Sequence, residues 1–89
     1  MSSVRLAFSS DGVRTLRELR EGGRGVIVDV LARQDGRADR LLALGVTPGT
    51  TVTLLQRFPG VVFLCDQTEL AIERAVADAI LVRPMEIHS

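Results

Sequence analysis

The sequence contains no Trp, no Tyr and no Lys, and only one Cys and one His among 89 residues. Each shortage removes a class of function. A lone cysteine, Cys65, can form no internal disulfide, and no His/Cys spacing resembles a closed metal site. The lone histidine, His88, is the penultimate residue, a poor place for a preorganised base, so the convergent groups that catalysis needs are missing. Three Phe make up the whole aromatic complement. That is too few for the ring-lined groove that grips polyproline segments or for a base-stacking platform. Eleven Arg balance eleven Asp and Glu, and they are scattered, so nothing pulls at long range on a nucleic acid. The stretch Glu21-Gly22-Gly23-Arg24-Gly25 lacks the lysine of a phosphate loop and does not join a strand to a helix. No run approaches the ~20 apolar residues of a membrane span, and Arg5 introduces no signal peptide. The expectation is a cytoplasmic protein that is not an enzyme.

What is present is aliphatic. Val, Leu, Ile and Ala must build the core, and a chain this short has room for one. Val4, Leu6 and Phe8 alternate in a leader that ends at Ser9-Ser10-Asp11-Gly12, the period of an added strand. Thr15-Leu16-Arg17-Glu18-Leu19 has the spacing of a capping box, stopped at once by Gly22 and Gly23, so it predicts a single turn with Leu16 and Leu19 on one side. Gly25 to Arg33 is a β-branched run that reads as a strand buried on much of both faces, or as a strand with a bulge. Gln34-Asp35-Gly36 reads as a turn. Arg37 to Leu44 follows as a short helix with Ala38, Leu41 and Leu42 inward, ended by Gly45 in a left-handed cap. Thr47-Pro48-Gly49-Thr50 suits a type II turn, with Pro at its second position and Gly at its third. Strands follow at Thr51–Arg57, Val61–Asp66 and Glu69–Arg74. A helical turn at Ala75–Ala79 then feeds a last strand, Ile80–Arg83, closed by Pro84. About five short strands with one or two short helices predict a mainly β chain rolled into a small barrel.

Three segments carry a resemblance: Thr15 to Leu19 with the glycines through Gly25, then Leu41-Leu42-Ala43-Leu44-Gly45-Val46-Thr47-Pro48-Gly49-Thr50, then Leu70 to Arg74 running through Ala77 to Ile80-Leu81-Val82. In this order they resemble the FeoA family, and the second segment is the most specific. The resemblance implies an SH3-like barrel over residues 15–84. It leaves residues 1–14 as a leader and 85–89 as a tail. It also implies a non-catalytic accessory of bacterial ferrous iron uptake, needing no cofactor. Its partner would be FeoB, a membrane transporter with a GTPase domain, met at the cytoplasmic side without membrane insertion. The same barrel occurs in iron-dependent repressors beside a helix-turn-helix domain, for which 89 residues leave no room.

For partner binding, two apolar knuckles stand out. The first is the hairpin Phe58-Pro59-Gly60 with Val61; the second is Leu44, Val46 and Pro48, beside the structural positions Gly45, Pro48 and Gly49. Exposed rings at turn tips are frequent anchors, whereas packing under the barrel is the plainer role for Leu44 and Val46. Cys65 shares a strand face with Val61 and Phe63 and reads as a small core residue. Glu86 and His88 on the tail could hold a divalent ion, Zn or Fe, between two molecules, making a metal-responsive homodimer the first rival reading. A generic adaptor with another protein partner is the second.

Overall fold

A computed structural model describes residues 12–31 and 37–85. Six strands form one antiparallel sheet in the order β1-β6-β2-β3-β4-β5. They are β1 Arg14–Thr15, β2 Arg24–Val30, β3 Thr51–Gln56, β4 Val61–Cys65, β5 Thr68–Ile72 and β6 Ile80–Met85, joined by helix α1 Arg37–Ala43 and the one-turn helix α2 Arg74–Ala77. The sheet rolls over one core, but β1 and β5 do not pair to close it. The result is a barrel-like, mainly β domain in the SH3 manner, with one strand more than the sequence predicts because the pair Arg14–Thr15 docks on β6.

The inner face shows the period of two that the strands promise. Val52 and Leu54 of β3, Val61, Phe63 and Cys65 of β4, and Ile80 and Val82 of β6 are buried, with Leu70 and Ile72 of β5 packed against them. Phe63 fills the centre; its truncation to alanine belongs to the class that costs about 3–5 kcal/mol. The strand β2 carries the expected bulge, where its register against β6 shifts between Ile27 and Asp29. Ile27 is buried while Val26, Val28 and Val30 are half-buried, so the run lies mainly on one face and not on both. A second shift between Leu54 and Gln56 in β3 turns Leu55 outward. Both bulges bend their strands, as a small rolled sheet requires.

Thr15 to Leu19 forms the expected single turn, a 3-10 helix over Leu16–Glu18. The Thr15 N–H donates to the Glu18 carboxylate at 2.8 Å, and Leu16 and Leu19 both plug the core. In α1, however, Leu41 alone of the Leu41-Leu42 pair is buried; Leu42 is exposed. A helix of two turns meets the sheet along a narrow stripe, which Leu41 fills. The strand β6 also departs from expectation by running through Pro84 to Met85. Beyond Val82 it pairs with β2 alone, and an open edge is where a strand tolerates a residue without an N–H.

The segment after α1 is a pair of left-handed turns. Gly45 sits at φ +92. Its N–H donates to the Leu42 carbonyl at 3.0 Å and the Val46 N–H to the Leu41 carbonyl at 3.0 Å, the double bond of a Schellman cap. Gly49 sits at φ +94, and the Thr50 N–H reaches back to the Thr47 carbonyl at 3.1 Å, the type II turn read from Pro-Gly. The Gly49 N–H also donates to the Ile27 carbonyl at 2.7 Å, tying the turn to β2. The leader with Val4, Leu6 and Phe8, the turn Gln34-Asp35-Gly36 and the tail residues Glu86 and His88 lie outside the described residues.

Two outcomes check this account. A Cβ at Gly49 would meet nothing within 4 Å, so the cost of a side chain there is conformational: Gly49→Val should lose about 1–3 kcal/mol in denaturant melts. An unchanged midpoint would refute the left-handed turn. Burial pushes the Cys65 thiol up from its ordinary value, and the Asp66 charge adds to this. The unfolded chain therefore releases that proton first, so this contribution is intact below the ordinary thiol range and is lost as pH rises above about 8.5. Cys65→Ala should flatten that alkaline loss in urea midpoints followed across pH; an identical slope in both proteins would count against it.

Candidate functional site

Both apolar knuckles seen in the sequence reach the surface, and the fold brings them to one place. The cap at Gly45 turns the chain so that Leu41 and Val46 enter the core while Leu44 stays outside, 48% exposed. Opposite it lies the β3–β4 turn, where Phe58 is 68% exposed and Phe58-Pro59 is a cis peptide. That turn is braced at both ends. The Gln56 side-chain amide donates to the Gly60 carbonyl at 3.0 Å, and the Glu21 carboxylate accepts from the Arg57 N–H at 3.1 Å.

Between the two knuckles runs an open groove of about 870 Å³. Leu41 of α1 and Leu44 just after it form one wall, and Ile72 with Val76 of α2 the other. Pro59 and Gly60 close one end, and Arg40, Glu73 and Arg74 supply the charge. Around the corner, a smaller cleft of about 460 Å³ lies among Arg17, Glu21, Arg57, Phe58 and Arg74. Arg74 belongs to both. Its guanidinium lies over the Phe58 ring, 5.1 Å from the centroid, a cation–π contact that orders an otherwise free ring.

Electrostatics fix the second wall. The Arg17 guanidinium forks onto Asp78, Nε to Oδ1 at 2.9 Å and Nη2 to Oδ2 at 3.1 Å. This clamps the Leu16–Glu18 turn to the end of α2. The hydrogen bond to Asp78, followed by its charge, holds the Arg17 pKa above the ordinary value. It is the only ion pair among the described residues, and among these residues no carboxylate pairs with Arg40 or Arg74, both of which line the groove. The Cys65 thiol, buried, donates to the Gly45 carbonyl at 3.4 Å and ties β4 to the base of the first wall.

Phe58, Pro59, Leu44 and Pro48 are therefore exposed and available to a partner. Val46 and Val61 are not: both are fully buried, one as the apolar member of the Schellman cap and the other on the inward face of β4. Reading Val61 as part of the exposed tip ignored the pleat, which sends it inward two residues before Phe63. The residues that sequence reasoning missed are Arg74 and Val76. Nothing in sequence spacing links Arg74 to Phe58; only the pairing of β4 with β5 brings them together. Among the described residues no group of three His, Cys, Asp or Glu side chains could hold a metal, and no helix is long and apolar enough to cross a membrane.

Comparison with known proteins adds the family context. A family model described as the FeoA domain matches residues 14–84. A crystal structure of an iron uptake regulatory protein (FeoA) is 28% identical, with a TM-score of 0.72 over 82% of this chain and 99% of that one. The solution structure of a FeoA protein from Chlorobium tepidum is 28% identical, with a TM-score of 0.73 over 82% of this chain and 71% of that one. FeoA of Stenotrophomonas maltophilia complexed with zinc, described as an SH3 domain protein, is 25% identical, with a TM-score of 0.70 over 78% of this chain and 88% of that one. No curated protein matches the chain.

Proposed function

The chain belongs to the FeoA domain family, associated with ferrous iron transport, and from that premise we propose that it is a non-catalytic cytoplasmic accessory that binds and modulates the transporter FeoB. The observation that carries this reading is the groove between Leu44 and Val76 with the exposed, braced Phe58 beside it. An apolar cleft rimmed by charge, next to a held aromatic ring, is how a protein surface prepares to meet another protein. The Stenotrophomonas relative, put forward as a bacterial ferrous iron transport activating factor, supports the same role.

A second reading has one observation in its favour, that relative's complex with zinc. In this chain the donors would be Glu86 and His88, shared between two molecules, and the ion would drive dimerisation. The ion's part is confined to bridging carboxylate and imidazole.

Two measurements separate the readings. Phe58 loses only an exposed cation–π contact on truncation, worth roughly 0.5–1 kcal/mol. Phe58→Ala should therefore leave the melting temperature within a few degrees while weakening capture of the transporter's cytoplasmic region about tenfold or more. A large thermal loss with intact capture would instead make the ring structural. For the metal reading, calorimetric titration with Zn²⁺ and Fe²⁺ should show dimers that disappear in His88→Ala; a monomer at every metal concentration removes it.

A further inference from the structure

The strand β5 ends the sheet, and no described strand pairs with its outer side. The two-residue turn Asp66-Gln67, with Asp66 at φ +61, makes Cys65 and Thr68 a hydrogen-bonded pair. Alternation along the antiparallel register then gives the same bonding to Phe63 with Leu70 and to Val61 with Ile72. The N–H and C=O groups of Glu69 and Ala71 accordingly point away from β4. No partner for them is found among the described residues, and Thr68, Glu69 and Ala71 are exposed.

This edge opens into the groove. Ala71, Ile72 and Glu73 line it on one side, with Arg40 of α1 and Leu44 beyond its end across from them. A strand laid along β5 would bond its backbone to Glu69 and Ala71 and send every second side chain toward α1. There it would meet the apolar walls at Leu41, Leu44, Ile72 and Val76, and the two arginines of the lining, Arg40 and Arg74. Glu73 is the one carboxylate in the lining, so positive charge is in excess. On the opposite face the strand would lie beside Glu69, which disfavours a second acidic residue there. A second copy of this chain fits poorly, because β5 paired with β5 gathers Glu69 and Glu73 of both copies at one seam.

We infer that the open edge of β5 takes up an extended segment of a partner protein as an added strand, whose groove-facing side chains are apolar and acidic and whose outward side chains are uncharged. The inference rests on the binding role proposed above and specifies what the partner offers. Backbone pairing would supply affinity, and the groove would supply sequence preference.

The test uses a short fluorescein-labelled peptide with leucine and glutamate taking turns at every second position and threonine between them, and a control with lysine replacing glutamate. In fluorescence anisotropy the glutamate peptide should bind, and the lysine peptide should bind about tenfold more weakly or worse. Ala71→Pro removes an outward N–H that the ladder does not use, so it should keep the urea midpoint and lose the peptide, whereas Ala71→Thr should keep both. If Ala71→Pro fails to fold, Arg40→Glu with Arg74→Glu carries the test, because it should reverse the preference between the two peptides. Equal binding of both peptides to the wild-type protein, or full binding by folded Ala71→Pro, overturns the inference. So does sedimentation showing self-association that Ala71→Pro abolishes, since the occupant is then a second copy. Capture of the transporter that Ala71→Pro leaves intact sinks strand addition and spares the transporter reading. Peptide binding without any capture of the transporter does the reverse.

Discussion

The left-handed turn at Gly45 is the constraint on which the rest of the molecule depends. With φ at +92, the chain reverses within one residue, and the two capping bonds to Leu41 and Leu42 fix where the neighbours go. Leu41 and Val46 close over the end of the core, as the apolar pair of a Schellman cap does. Leu44, one residue before the reversal, has no room inside and becomes a wall of the groove. The Pro48-Gly49 turn then points the chain along β2, and β3 starts in register. A β-branched residue at position 45 would disturb the cap and with it the placing of Leu41, Val46 and Leu44, because all follow from the positive φ there.

The open groove follows from the same economy. A sheet of six short strands with two bulges curls far enough to enclose Phe63 and its aliphatic neighbours, yet its outer strands do not meet. Helix α1 packs against the core through Leu41, its one buried side chain among those described. A helix packed through one narrow stripe cannot fill the whole gap, so a cleft remains between it and β5. Among the described residues, β5 thus keeps an unpaired edge of the kind that most small barrels remove. The acidic residues Glu69 and Glu73 guard that edge against self-pairing while leaving it open to a different chain.

Local chemistry made much of this legible in the sequence. Pro48-Gly49, the glycine after Leu44, the Thr15/Glu18 spacing and the alternation through Val61, Phe63 and Cys65 each act within a few residues, so their outcomes could be read directly. What could not be read depends on contacts between distant segments. Whether Leu41 or Leu42 faced inward was decided by the angle at which α1 meets the sheet. Pro84 fits inside β6 only because β1 is two residues long and leaves that edge open. The proposed binding surface is half visible in the sequence: Phe58 and Leu44 carry recognisable signals, but Arg74 and Val76 join them through strand pairing, and burial withdraws Val46 and Val61.

Helix α2 is four residues long, too short to persist on its own. It stays folded because Ala77 is buried and because Arg17 grips Asp78 from another part of the chain. Such a segment opens at a lower free energy than the sheet beneath it. The amides of Val76, Ala77 and Asp78 would then exchange with solvent through local fraying, long before those of Phe63. High salt screens the Arg17–Asp78 pair and would quicken that fraying.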